Sequence, residues 1–352
     1  MKKNLFISLF SGLGEYLRSY LNGELQDRDL DEAITLSYGN NPLFTPFFQR
    51  YALSAIAENF LEKDMLDWWI GKYDSFRESD GTFGLGGKEC EIVMAGNIPL
   101  VGFHDIMTVI AVGVNATVKL SSKDPFLLPA VLKIIEKMDK SSELTNRVKF
   151  IDKDYYQRGQ FPPDCLITMG SDRSASFFEH RYPFVPKLIR KSKTSVGVVR
   201  SDISDDELRG VASDILLYYG MGCRSISHLK IERDFDMNRL VSALCNYSYM
   251  TDDNVMRNIF RRNSSICRMD GIPFFEGGNM VIVEDDNYTH APGVVSYSWI
   301  ETVEALEEEF ESNRESIQKI YLNFGQAQRP EAGDYPDDRD TILFLLNNLK
   351  QI

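Results

Sequence analysis

The sequence predicts an α/β protein with a helical opening region, and three observations carry that prediction. Residues 1 to about 75 repeat apolar positions at helical spacing. Beyond them, short apolar or β-rich runs alternate with longer helical patterns, the mark of βαβ units and a largely parallel sheet. The length, 352 residues, suits two domains and a large core.

In the opening region Phe6, Leu9, Leu13 and Leu17 lie one turn apart, Ser37 to Pro42 breaks the pattern, and Phe48, Tyr51, Ala55, Ile56, Phe60 and Leu66 resume it. Strands are expected at ECEIVMAG, ATVKL, RVKFI, CLITMG and TSVGVV, with DPFLLPAVLKIIEKMD as an intervening helix. In such sheets ligands bind where strands end in loops that lead into helices. After Cys223 the pattern predicts a helix-like stretch from Ile226 and strands at NMVIVED and GVVSYSWI. TVEALEEEFESNRESIQKI reads as an acidic helix, and the end reads as an acidic loop followed by a short apolar helix. Asp334, Asp337, Asp338 and Asp340 in that loop read as solvation and a helix cap rather than a metal site, so no metal is expected.

Composition narrows the function. The formal charge is −13, which argues against nucleic acid and against an anionic membrane surface, but leaves small anionic ligands open. Five cysteines form no CxxC pair, as expected of unbridged thiols in a reducing cytoplasm. The segment after Met1-Lys2-Lys3 lacks a cleavage signal, and no apolar run approaches the length of a membrane span, so a cytoplasmic location is expected.

Three segments carry chemistry. In Gly220-Met221-Gly222-Cys223-Arg224-Ser225, small residues surround one cysteine before the helix-like stretch. A helix N-terminus and the Arg224 charge would both favour the thiolate; the alternative is an inert buried cysteine. Asn97 in Ala95-Gly96-Asn97-Ile98-Pro99 is placed either to donate to an oxyanion or to satisfy its own turn. Val118 to Lys123 and Thr168 to Asp172 close two strands. Gly170 and Ser171 offer N–H and hydroxyl groups to a phosphate, with ordinary helix capping as the alternative.

Taken in order, these segments resemble the aldehyde dehydrogenase superfamily. Gly220, Cys223 and Ile231 keep its GQxCxAxxRxxV signature, with Met221 for Gln, Ser225 for Ala and His228 for Arg. Asn97 falls at the oxyanion asparagine of WNFP. GVNATVKLSSKDP resembles GNTVVLKPAExTP, which puts Lys119 at the cofactor-ribose lysine, and TMGSD resembles the FTGS segment beside the cofactor pyrophosphate. Within the superfamily the chain is most similar to the acyl-CoA reductase (LuxC-like) branch, through Asn41-Pro42-Leu43-Phe44-Thr45, Leu66-Asp67-Trp68-Trp69 and the closing GQAQRP…YPDDRDTILFLL.

The resemblance implies an aldehyde dehydrogenase-like fold: a Rossmann-type cofactor domain, a smaller α/β catalytic domain and the helical opening. It implies a helical region with an NADP-binding domain over 1–217, a catalytic domain over 218–322, and a C-terminal loop and helix over 323–352 that pack back on the body. It implies an acyl-CoA or related acyl donor, an acyl intermediate on Cys223, NADPH as hydride donor, and a homo-oligomer.

Two departures sharpen the reaction. Where acid-forming members carry the glutamate of ELGG, this chain has Arg190 to Ser195 with no carboxylate, so an acyl-cysteine would survive long enough to be reduced. Ser122 stands where NAD-using members hold the ribose diol with a glutamate; beside Lys123 it leaves room and charge for the 2′-phosphate of NADPH. His290, in THAPGVV, aligns with EIFGPV and would protonate the product oxygen, a surface or capping role being the alternative. His104 and His180 read as structural, and Arg181, Lys187, Arg190, Lys191 and Lys193 as a solvated helix face. An acyl phosphate or acyl-carrier protein as donor, or a degenerate member acting as a scaffold, are the rival readings.

Overall fold

A computed structural model of the chain describes residues 1–152, 154–157, 161–170, 172–288 and 291–350, with their side chains except at 172–174, 304, 305 and 307. Two compact units emerge: Met1–Lys191 with Pro330–Ile352, and Ser192–Arg329.

The first unit opens with helices α1 (Lys3–Leu21), α2 (Arg28–Asn40), α3 (Pro46–Ala55) and α4 (Lys63–Gly71). The predicted apolar stripe is the buried one: Phe6, Leu9, Leu13 and Leu17 all lie in the core. Asp27 caps α2 by accepting the Leu30 N–H at 3.0 Å, and Thr45 caps α3, which has Pro46 in its first turn. The break expected at 37–42 comes only at the end of α2.

Next come β1 (Glu89–Val93), α5 (Phe103–Ala111), β2 (Asn115–Lys119), α6 (Leu127–Met138), β3 (Val148–Ile151), β4 (Cys165–Met169), α7 (Asp172–Arg181) and β5 (Lys187–Arg190). The five strands are parallel in the order β3-β2-β1-β4-β5. The chain builds outward from β1 to one side through β2 and β3, then crosses to the other side for β4 and β5. That reversal is a topological switch point, and the loops after β1, β2 and β4 all leave the sheet at its carboxyl edge beside it.

The second unit holds β6 (Thr194–Val199), α8 (Asp205–Leu216), β7 (Ile226–Glu232), α9 (Met237–Asn246), α10 (Asn254–Asp270), β8 (Phe274–Gly277), β9 (Met280–Glu284), β10 (Val294–Ile300), α11 (Glu307–Ser312) and β11 (Ile317–Tyr321). Its sheet runs β11-β6-β7-β10-β9-β8, parallel except for the β8–β9 hairpin. The hairpin turns at Gly278 and Asn279, both left-handed (φ 60° and 58°), as a two-residue turn of this hand requires.

Two expected elements are corrected here. Ile226 begins strand β7, not a helix. β7 is central, between β6 and β10, and its residues on both faces are largely buried, so no alternating pattern marks it. It also carries buried polar residues. His228 Nδ1 lies 2.6 Å from Ser296 Oγ, and Lys230 Nζ lies 2.5 Å from Glu309 Oε1. The acidic helix expected across 302–320 is likewise only a 3₁₀ turn at Val303–Leu306 and the six residues of α11; the rest turns and enters β11. The division expected at 217/218 falls instead between Lys191 and Ser192, because β6 is hydrogen-bonded into the second sheet.

The chain then returns to the first unit as a loop and α12 (Thr341–Leu349). Asp340 caps α12, accepting the Leu343 N–H at 2.9 Å, so the acidic loop does supply the helix cap. Its other oxygen accepts from the Tyr73 hydroxyl at 2.5 Å, and Trp69 Nε1 donates to the Tyr335 hydroxyl at 2.8 Å. Arg190 is buried beneath this segment. It donates to Asp105 Oδ1 at 2.9 Å, Thr341 Oγ1 at 2.8 Å and the Pro336 carbonyl at 2.5 Å. The basic run read as a solvated helix face is therefore corrected. Arg190 is core, Lys187 donates to the Tyr182 and Val185 carbonyls, and Arg181 lies over the Tyr156 ring. Among the described residues no helix is long and apolar enough to cross a membrane.

Candidate active site

Helix α8 ends at Leu216, and the chain must turn sharply to enter β7 at Ile226. It does so through three successive left-handed residues, Tyr218, Tyr219 and Gly220 (φ 54°, 56° and 70°). For the two tyrosines this conformation costs on the order of 1–3 kcal/mol each, and it persists because both rings are buried. Cys223 stands at the tip of the turn, half-buried. Its carbonyl accepts the Ser195 hydroxyl at 2.8 Å, and the Ser225 N–H closes the turn on the Gly222 carbonyl at 2.9 Å. Gly222 is tightly enclosed: a Cβ there would come within 3.2 Å of Ser225 Oγ and 3.3 Å of Gln328 Nε2.

The other cysteines differ. Cys90, Cys165 and Cys267 are buried, and burial pushes the Cys90 and Cys267 thiols up, away from the reactive thiolate. Because Ile226 begins a strand, the helix N-terminus expected just after Cys223 is not formed there. That part of the predicted thiolate stabilisation is withdrawn.

Asn97 lies in the loop after β1, half-buried. Three residues on, Leu100 is buried and left-handed (φ 58°). Asp124, at the foot of the β2–α6 loop, lies against this strained residue: its carboxylate accepts the Leu127 N–H at 3.4 Å and the Ser37 hydroxyl at 3.3 Å, and the backbone N–H groups of Leu100 and Phe126 face it. Burial pushes the Asp124 carboxyl up, and those hydrogen bonds pull it partly back.

The β1 and β2 loops touch through Gly96. A Cβ at that position would sit 2.2 Å from Ser121 Oγ, so only glycine allows the approach. Lys119 ends β2 half-buried, while Ser122 and Lys123 are exposed. The loop is held from behind: Asn40 Nδ2 donates to the Ser122 carbonyl at 2.9 Å, and the Lys123 N–H to Ser121 Oγ at 3.2 Å. Its acidic member, Asp124, is buried. A rim with a lysine and a small hydroxyl fits an anionic dinucleotide. Gly170, after β4, is half-buried, its N–H donating to the Arg190 carbonyl at 3.3 Å.

Asn97, Lys119, Ser122 and Gly170 thus share the carboxyl edge of the first sheet, and Cys223 belongs to the second unit. Ser171 and His290 lie outside the described residues. His228 is a core histidine, hydrogen-bonded to Ser296 and Ser298 inside the second sheet. His104 is buried and within 2.8 Å of the Ala332 carbonyl. Sequence reasoning missed the supporting residues Ser195, Asp124, Asp214 and Gln328. Only Asp124 carried a local signal, an Asp-Pro pair shortly before a helix.

The acyl-CoA reductase (LuxC) family model matches residues 25–246, more than half of the chain. No curated protein sequence matches. Among solved structures, aldehyde dehydrogenase 21 from Physcomitrella patens, in complex with succinate, is 11% identical with a TM-score of 0.69, covering 99% of this chain and 85% of its own. An NAD-dependent benzaldehyde dehydrogenase from Corynebacterium glutamicum is 12% identical, TM-score 0.64, covering 94% and 83%. The indole-3-acetaldehyde dehydrogenase AldA of P. syringae, a cysteine-to-alanine mutant in complex with NAD+ and IAA, is 14% identical, TM-score 0.62, covering 87% and 69%. At such identities these likenesses establish the fold alone. Together with the family match they make the chain an oxidoreductase of the acyl-CoA reductase (LuxC) family, built on the aldehyde dehydrogenase fold.

Proposed function

We propose that the protein reduces an acyl-CoA thioester to the aldehyde, with NADPH as reductant and Cys223 as the acyl carrier. The observation that carries this reading is the turn at Cys223: a half-buried thiol on a strained, hydrogen-bonded loop in a member of this family. The thiolate attacks the thioester carbonyl, the carbon–sulfur bond to CoA breaks, and CoA leaves as its thiolate. The resemblance assigns the oxyanion to the Asn97 amide and the Cys223 N–H, with Lys119, Ser122, Gly170 and Ser171 binding the cofactor and His290 protonating the product oxygen. Each oxyanion donor is worth about 3 kcal/mol. The nicotinamide, when bound, supplies the hydride that reduces the acyl-cysteine carbonyl. Collapse of the resulting thiohemiacetal, with its hydroxyl proton returning to His290, releases aldehyde and restores the thiolate.

The absence of a base for hydrolysis supports reduction over acid formation. From Lys187 to Val199 the sequence holds no carboxylate. Within that stretch Arg190 is committed to Asp105, and Ser195 to the Cys223 carbonyl. Structures of relatives bound to NAD+ support a nicotinamide cofactor; the exposed Ser122 and Lys123 favour the phosphorylated form. The test is acyl-CoA-dependent oxidation of NADPH, with aldehyde and free CoA measured together. Stoichiometric aldehyde and CoA are expected; carboxylic acid as the main product would overturn the reading. Acyl phosphates and acyl-carrier protein in the same assay decide the donor.

A further inference from the structure

Behind the Cys223 turn lies a part of the second unit that the mechanism does not use. Asp214, on the last turns of α8, is fully buried, and its two oxygens accept the N–H groups of Gly325 and Ala327 at 2.7 and 3.1 Å. These donors belong to a strap of chain after β11. Gly325 is left-handed (φ 89°), and the strap lies against α8 at Gly210, where a Cβ would come within 2.8 Å of the Phe324 backbone. Helix and strap are therefore in contact at backbone distance, and the carboxylate is the clamp that fixes their register. The next residue along the strap, Gln328, is buried. Its Nε2 donates to Ser225 Oγ at 2.9 Å, and its amide lies over Gly222. Gly222 and Ser225 flank Cys223 on the same turn, the turn that also stores the strain of Tyr218 and Tyr219.

We propose that Gln328, held in register by Asp214, is a positioning residue for the Cys223 loop. It keeps the strained turn from relaxing and so holds the thiol in its reactive pose, without touching the substrate. A strained loop of this kind keeps its shape only if its surroundings over-determine it. Ser195 supplies one tether, to the Cys223 carbonyl, and Gln328 supplies another, to Ser225. The inference rests on Cys223 being the nucleophile.

The test uses the full chain and reads the loop directly, through the rate at which iodoacetamide alkylates Cys223, with the site identified by peptide mass. Gln328→Ala and Asp214→Asn should each slow this rate, and kcat, by about tenfold, the size of one lost hydrogen bond. The KM for NADPH should stay unchanged. Because the two residues act in series, the double variant should match the single ones rather than show the hundredfold product. Gln328→Glu, which keeps the reach and can accept from Ser225, should recover part of the loss. Ser225→Ala, which removes only the acceptor hydroxyl, stands in if Gln328→Ala fails to fold. Unchanged or faster alkylation in the variants, or multiplicative effects, would overturn the proposal. Failure of the functional reading looks different: the parent protein would be alkylated at Cys223 yet consume no NADPH with acyl-CoA, and the alkylation comparison would still stand.

Discussion

Asp124 in the first unit and Asp214 in the second are both buried carboxylates committed to backbone N–H groups, yet they close their loops over very different distances. Asp124 accepts from Leu127, three residues away at the start of α6, and faces the Leu100 N–H of the neighbouring loop, both at the carboxyl edge of one sheet. Asp214 reaches across 111 and 113 residues of sequence to Gly325 and Ala327. The two units thus hold their loops in two ways. The loops proposed to bind the cofactor and the oxyanion follow from strand order and turn chemistry. The Cys223 loop is a strained turn with distant chain laid against it.

Substitutions in each loop test whether the two arrangements are separate. The largest effect is expected from Cys223→Ala, which removes the acyl carrier and should lower kcat by about 10⁴-fold or more; NADPH binding, measured by fluorescence, should survive. Asp105→Ala should destabilise the protein by about 3–5 kcal/mol in denaturant titrations, because it leaves the buried Arg190 guanidinium without its carboxylate. Asn97→Ala should lower kcat by about 10²–10³-fold while leaving alkylation of Cys223 at its parental rate. If alkylation also collapses, the two loops are not separate devices.

A smaller effect distinguishes the two carboxylates by pH. Burial pushes Asp214 up to about 6 from an ordinary 3.8. A group raised in this way binds its proton more tightly in the folded state, so its ionisation destabilises the fold as pH rises from about 4 through 6. Asparagine carries no such penalty. The stability difference between Asp214→Asn and the parent should therefore move in favour of asparagine over that window, by on the order of 3 kcal/mol. Asp124, also raised by burial, should act in the same sense, and the pair of titrations ranks the two clamps. The smallest change is expected of Ser122→Glu. It should move the kcat/KM ratio from NADPH towards NADH by about tenfold, an effect near 1.4 kcal/mol, through repulsion of the 2′-phosphate.

The first sheet was legible because its strands announce themselves. ECEIV, NATVK and CLITM are short runs rich in apolar and β-branched residues and followed by turns, and Lys119 and Asn97 sit at or just beyond the ends of such strands. β5 escaped because it is four residues long, with Lys187 and Arg190 at its ends. In the second sheet β6, β9 and β10 were legible in the same way, and β7 escaped for a different reason. β7 satisfies His228 and Lys230 with partners from residues 296–309, so its polarity makes sense only once the fold exists. Cys223 could be picked out from its glycines and the family signature. The tethers that hold it could not, since Ser195 and Gln328 lie 28 residues before it and 103 residues after Ser225 respectively.

Whether Cys223 carries the acyl group can be read by intact mass spectrometry. Mixed with an acyl-CoA in the absence of NADPH, the parent protein should gain the mass of one acyl group, lost again when NADPH is added, and Cys223→Ala should gain none. An adduct of the same mass on the Cys223→Ala protein would place the acyl group on another residue and remove Cys223 from the chemistry.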